Sequence, residues 1–269
     1  MRGRRDFLIR SGYCALSATG VMQAGIWSVP VVASPGPNTV FRSRDIDSVL
    51  IELFQTADSG QDGSLRIDVP VEAVNASVVP FRIVASNTER LAVFVEGNAR
   101  PLLLVTEEAH RPHREMTGAF RLDRDSLVTC YALRQGELFR NSRPVRLIAP
   151  RHNVHWREEF RDRLPLSTIL RAEAAGGGFD ILCSIRHNRG RWLVGDPHVA
   201  RVTFSVNDQS VSTVECGPGF SRNPLVGVHL ESLGNDDVVR VEWTDSSGVT
   251  GMAQGTVALL SDRNLYRET

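Results

Sequence analysis

The chain has no excess of either charge. Its 31 Lys and Arg are matched by 31 Asp and Glu, which leaves no field to draw nucleic acid or anionic lipid from a distance. It also lacks an apolar run near the ~20 residues a membrane helix needs. Residues 13–29 come nearest and are broken by Gly and Ser, so no stable membrane insertion is expected. Cysteine is scarce, with 4 in 269 residues. No nucleophile, base and orienting acid assemble in the sequence, and Gly219-Phe220-Ser221-Arg222-Asn223 lacks the second glycine of a hydrolase elbow. Ala174-Ala175-Gly176-Gly177-Gly178 is glycine-rich, but no helix start or Lys-Ser/Thr follows, so it reads as a plain turn and not as a phosphate cradle. Self-contained catalysis and a bound cofactor are therefore not expected.

What is present begins with a targeting segment. A basic head is followed by a weakly apolar, Ala- and Gly-containing stretch and a small-residue site at Val31-Val32-Ala33. Arg4-Arg5-Asp6-Phe7-Leu8 resembles the twin-arginine signal. Residues 1–33 are thus expected to direct export to the periplasm and then be removed. Removal takes Cys14 and leaves Cys130, Cys183 and Cys216. An odd number in an oxidising compartment requires at least one to be unpaired or buried.

The length suggests two domains, each able to bury its own core. From Ser64 onward, short alternating runs closed by Asn, Gly, Ser or Pro predict strands over 65–69, 79–84, 90–95 and 102–106. A further strand is expected to start at 119–122, and 127–133 should meet 138–139 in a hairpin across Arg134-Gln135-Gly136-Glu137. Only 45–56 has helical spacing in this half, through Ile46, Val49, Leu50 and Leu53, and it should pack on the first sheet. The second half predicts strands over 169–173, 179–186, 199–206, 211–216, 226–230, 237–244 and 255–260. About seven short strands in ~100 residues is the count of an immunoglobulin-like sandwich. The expected fold is all-β: two immunoglobulin-like β-sandwiches over 45–149 and 165–262, joined by a short charged linker over 150–164, with one turn of helix around Trp156.

Several residues invite functional readings. His152 and His155 are three apart near Glu158 and Glu159, a set that could hold zinc or copper or simply be exposed linker histidines. His110 and His113 carry the same two readings. His198 and His229 read as satisfied structural histidines, and Asp245 as a turn former. Cys183 shares the face of Phe179, Ile181 and Ile185, and Cys130 sits in mid-strand, so both read as core. Cys216 abuts the Gly217-Pro218-Gly219 loop and is the candidate exposed thiol. Its alternatives are a strand-end cysteine or a disulfide with Cys183.

Three stretches of the second half, Ile185-Arg186-His187, Gly217-Pro218-Gly219-Phe220-Ser221-Arg222-Asn223-Pro224 and Val241-Glu242-Trp243-Thr244-Asp245, resemble in order and spacing SoxZ, the immunoglobulin-like partner subunit of the periplasmic thiosulfate-oxidation carrier. Asn188-Arg189-Gly190-Arg191 departs from that pattern. In the first half, Val79-Pro80-Phe81, Leu91 to Asn98 and Pro101-Leu102 are similar to SoxY, the carrier subunit. The resemblance implies a SoxYZ-like fusion, as in carriers associated with quinoprotein dehydrogenases, whose two domains pair within one chain. It further implies a partner surface made by His187, Gly217, Pro218, Gly219, Ser221, Asn223 and Pro224. The partners it implies are periplasmic redox proteins of sulfur oxidation or a quinoprotein dehydrogenase.

In SoxY a glycine-flanked cysteine on a mobile arm takes the sulfur adduct. Here Pro144-Val145-Arg146-Leu147-Ile148 matches the approach to that arm, and Ala149-Pro150-Arg151-His152 stands where Gly-Gly-Cys is expected. The stretch 143–156 therefore reads as a tether, and the protein as a non-enzymatic docking accessory. A carrier using Cys216 and a metal-dependent accessory using His152 and His155 are the alternatives.

Overall fold

The computed structural model describes residues 39–108, 115–148, 167–186, 197–221 and 223–262. The twin-arginine residues Arg4, Arg5, Phe7 and Leu8 lie outside them, as do Cys14, His110, His113, the linker with His152 and His155, and His187.

The chain opens with a 3-10 turn (Val40–Arg42) and helix α1 (Ile46–Phe54), followed by β1 (Gly60–Gln61), β2 (Arg66–Asp68), β3 (Glu72–Ala73), β4 (Val79–Val84) and β5 (Arg90–Val95). β6 (Leu102–Glu108), β7 (Glu115–Phe120), β8 (Ser126–Arg134) and β9 (Glu137–Leu147) complete the first half. The second half holds β10 (Ser167–Ala175), β11 (Gly178–Arg186), β12 (Val199–Val206), β13 (Gln209–Cys216), β14 (Leu225–Glu231), β15 (Val238–Asp245), β16 (Thr250–Thr256) and helix α2 (Val257–Ser261).

Two of the tight hairpins turn through a left-handed pair that ends in Gly. Gln135 and Gly136 carry φ of 50° and 80°, and Gly176 and Gly177 carry 51° and 90°, the left-handed pair that matches strand twist across a two-residue loop. The Gly176-Gly177 stretch is a hairpin turn, as the sequence suggests.

Two sheets stack across a common core. One runs β1-β9-β8-β5-β6-β13-β12-β15-β16, with β3 also on β9, and the other runs β10-β11-β14-β7-β4-β2. Each half supplies strands to both, so each is a sandwich of its own, the second with seven strands. The two sandwiches stand edge to edge. β6 pairs antiparallel with β13 from Leu104↔Cys216 to Glu108↔Ser212, and β7 pairs with β14 through Thr117↔Gly227 and Met116↔Val228. Four strand edges, two on each half, that separate domains would leave bare are thereby paired. The inward side chains of both halves, from Leu65 and Phe81 to Val241 and Trp243, form one buried cluster.

α1 covers the outer face of the larger sheet. Val49, Leu50 and Phe54 pack with Phe41, Ala92, Phe94, Leu102 and Tyr131 in a second cluster. β5 is therefore buried on both faces, and its near-continuous apolar run follows from that.

Two sequence expectations are corrected. The strand expected to start at 119 begins at Glu115, because Met116 and Gly118 already belong to the inward face. The run 255–260 is not one strand: β16 ends at Thr256, whose Oγ1 accepts the amide of Leu259 and caps α2. Val257 and Leu260, three apart, are buried together.

Candidate functional site

The loop 217–221 was expected to face outward toward a partner. The structure closes most of it against the chain's own first half. Gly217 N donates to Leu103 O at 2.8 Å, Arg121 N donates to Gly219 O at 2.9 Å, and Ser221 N donates to Ala119 O at 3.0 Å. Phe220 bridges Phe120 and is 1% exposed. Its ring stands edge-on to Phe81, which also packs on Phe120.

Two glycines make this closure possible. A Cβ on Gly217 would lie 2.6 Å from Leu102 O and 2.6 Å from Phe41 Cδ1. A Cβ on Gly118 would lie 2.6 Å from Phe81 Cζ and 3.2 Å from Phe220 Cζ. The 2.6 Å approaches are closer than real Cβ atoms come, so a side chain at either position would force its neighbours to shift. Gly217, Ser221 and Pro224 are buried, Pro218 and Gly219 half-buried, and Asn223 exposed. Gly217 and Ser221 of the expected surface are thus turned onto the first half, while Pro224 O accepts Ile185 N within the second half.

Where the loop passes the turn 97–101, a cleft of about 180 Å³ opens. Asn98, Arg100, Arg121 and Asp123 line it with Pro218 and Gly219. Asn98 holds its wall in place: Nδ2 donates to Arg121 O at 2.6 Å, and Oδ1 accepts Asp123 N at 2.9 Å. Asp123 Oδ2 accepts Ala99 N at 3.2 Å. No sequence reading singled out this cleft. Its residues come from both halves, and nothing in the order of the chain shows that they meet.

None of the three described cysteines offers a reactive sulfur. Cys130, Cys183 and Cys216 are all free and buried. Cys216, the thiol expected to be most accessible, is 2% exposed because β6 lies along its strand and Gly217 closes the end. It has no disulfide with Cys183. Burial pushes all three thiols up, Cys183 to about 12, and Glu215 adds to the rise at Cys216. A thiol so placed holds almost no thiolate near neutrality.

His229, Asp245 and Arg134 are held in contacts within the fold. His229 Nδ1 and Asp180 Oδ1 are 2.7 Å apart on paired strands. Asp245 is a turn former: its Oδ1 accepts Ser247 N, Ser247 Oγ and Val249 N. Arg134 bonds Asp62 across the sheet and stacks over Phe139. Among the described residues no group of three His, Cys, Asp or Glu could hold a metal ion, and no helix is long and apolar enough to cross a membrane.

Comparison with known proteins gives two family matches in one chain. Residues 51–149 match the sulfur oxidation protein SoxY, and residues 184–256 match the sulphur oxidation protein SoxZ. A search of curated proteins returns no match. Among solved structures, the sulfur carrier protein SoxY from Chlorobium limicola f thiosulfatophilum is similar at 18% identity and a TM-score of 0.35, over 39% of this chain and 94% of that one. A beta-glycosidase from Bacteroides vulgatus is similar at 11% identity and a TM-score of 0.23, over 78% of this chain and 26% of that one.

Proposed function

We propose that this chain, a SoxYZ-like fusion with its SoxY and SoxZ domains in one polypeptide, serves sulfur oxidation as an exported accessory that docks redox proteins and carries no covalent sulfur. The two domain matches support a carrier or accessory role in sulfur oxidation.

The burial of every described cysteine carries the refinement. A carrier sulfur must be exposed, mobile and ionisable to accept and release an adduct. From residue 131 to residue 182 the sequence has no cysteine at all, so the segment leaving β9 has no thiol to present. Cys130, Cys183 and Cys216 are fixed in strands and inaccessible. The burial of Cys216 counts against the alternative in which it is the carrier thiol. The strand pairing of β6 with β13 supports an intramolecular association of the two domains, with the fusion keeping them at high effective concentration. Export rests on the paired Arg4 and Arg5 ahead of Phe7 and Leu8.

The test is intact-mass measurement of the native protein after incubation with thiosulfate or sulfide, joined to complementation of a strain lacking the gene. No added mass, with full rescue of sulfur-dependent respiration by the Cys130→Ala/Cys183→Ala/Cys216→Ala variant, is the expected result. An adduct on Cys216, or failure of a folded cysteine-free variant to rescue, overturns the reading. Replacing Arg4 and Arg5 by Lys should retain the protein in the cytoplasm if the twin-arginine reading holds.

A further inference from the structure

We propose that the cleft between the turn 97–101 and the loop 217–221 binds a small tetrahedral oxyanion of the sulfate, thiosulfate or phosphate class, through Arg100 and Arg121. This rests on the geometry of the seam and not on the docking reading above.

Some arginines of this chain are matched to a carboxylate: Arg66, Arg82, Arg134, Arg201 and Arg240 form ion pairs. Arg100 and Arg121 form none among the described residues, although both line one cleft with Asp123. Asp123 is engaged by backbone, since its Oδ2 accepts Ala99 N and its own amide donates to Asn98. Two guanidiniums against one carboxylate leave the lining with a net positive charge. Guanidinium presents paired donors in a plane that fits two oxygens of an oxyanion.

The wall that carries these groups is preorganised. The backbone of Arg121 is held at both ends, its N–H by Gly219 O and its carbonyl by Asn98 Nδ2. Ordering a ligand there costs little further loss of backbone freedom. The volume of about 180 Å³ is that of roughly six waters in the liquid, enough for one tetrahedral anion with part of its hydration shell. Gly219 keeps the cleft open. A Cβ there would meet Asn98 Nδ2 at 3.6 Å and Leu103 Cδ1 at 3.8 Å, ordinary contacts that would fill space without displacing the walls.

The test titrates the full-length protein with sulfate, thiosulfate and phosphate at constant ionic strength held by chloride, following backbone amide shifts. Saturable shifts at Ala99, Asp123 and Gly219 are expected, with chloride alone producing none. Arg100→Gln and Arg121→Gln should each weaken binding roughly tenfold, the loss of one charge-assisted contact, and the double variant should abolish it. Gly219→Ala should weaken binding while leaving the thermal midpoint in chloride unchanged, which separates occupancy of the cleft from folding. Stronger binding of thiosulfate than of phosphate assigns the site to sulfur chemistry, and the reverse order assigns it to phosphate. Linear, non-saturating shifts, or binding retained by a folded double variant, overturn the proposal.

Discussion

Phe220, on a loop of the SoxZ domain, stands edge-on to Phe81 of the SoxY domain, with ring centroids 6.3 Å apart and planes at 80°. This contact places an aromatic anchor of one half inside the core of the other, at the point where both sheets cross the seam. Edge-to-face packing of this kind adds to the burial of the ring itself.

Truncating that anchor should be costly. Phe220→Ala is expected to lower unfolding stability by about 3–5 kcal/mol, measured by urea denaturation. Phe220→Leu, which keeps most of the volume, should cost less than half as much. Equal and small effects would mean that the loop does not hold the halves together.

Cutting the chain should not separate them. A protease site placed within 150–164 and cleaved to completion is expected to leave a single species in size-exclusion chromatography. The β6–β13 ladder, the β7–β14 pairs and the common core all cross the seam independently of the linker. Two peaks after cleavage under native conditions would show the seam to be weak.

The thiols predict a pH dependence with a definite sign. Cys183 has a folded value of about 12, raised above the ~8.5 of an unfolded thiol. Below ~8.5 both states are protonated, and the stabilisation from the buried neutral thiol is fully present. Above that value the unfolded chain loses the proton first, so stability falls as pH rises toward the folded value, by at most about 1.4 kcal/mol per pH unit for each thiol. Urea midpoints between pH 7.5 and 9.5 should therefore decline, and Cys183→Ala should flatten the slope. The same burial predicts that a thiol reagent labels none of the three cysteines until the protein is denatured.

Asp245 closes the β15–β16 hairpin with three donors on one carboxylate oxygen. Asp245→Ala leaves those donors without their acceptor and should cost roughly 2–3 kcal/mol, read as a lower thermal midpoint. Asp245→Asn keeps an acceptor in the same place and should recover most of the loss.

Strands with one buried face were legible in the sequence because alternation records burial directly: 79–84 and 199–206 coincide with β4 and β12. The hairpin at Gln135-Gly136 was legible because Gly136 supplies the left-handed second position of its turn. β1 and β3 were not, since two-residue strands paired in parallel with β9 leave no period to detect. Thr256 escaped notice because a cap followed by Val257 and Leu260 resembles the end of a strand until the helical hydrogen bonds are seen. The resemblance implied that the halves pair, but not which strands form the seam or in what register. Leu104 and Cys216 are apolar for the same reason any strand residue is, and only the fold reveals that they are neighbours. The inward turn of the loop 217–221 and the burial of Cys216 follow from that unseen pairing, which is also why the cleft at Arg100 and Arg121 left no signature.

The unbroken ladder from Leu104 to Glu108 has a consequence for how such a protein is made. Synthesised apart, each half would reach the cell with an apolar rim of open amides and carbonyls, a template for self-association. One translation product supplies the covering strand at fixed one-to-one stoichiometry, so no orphan subunit accumulates while waiting for its mate.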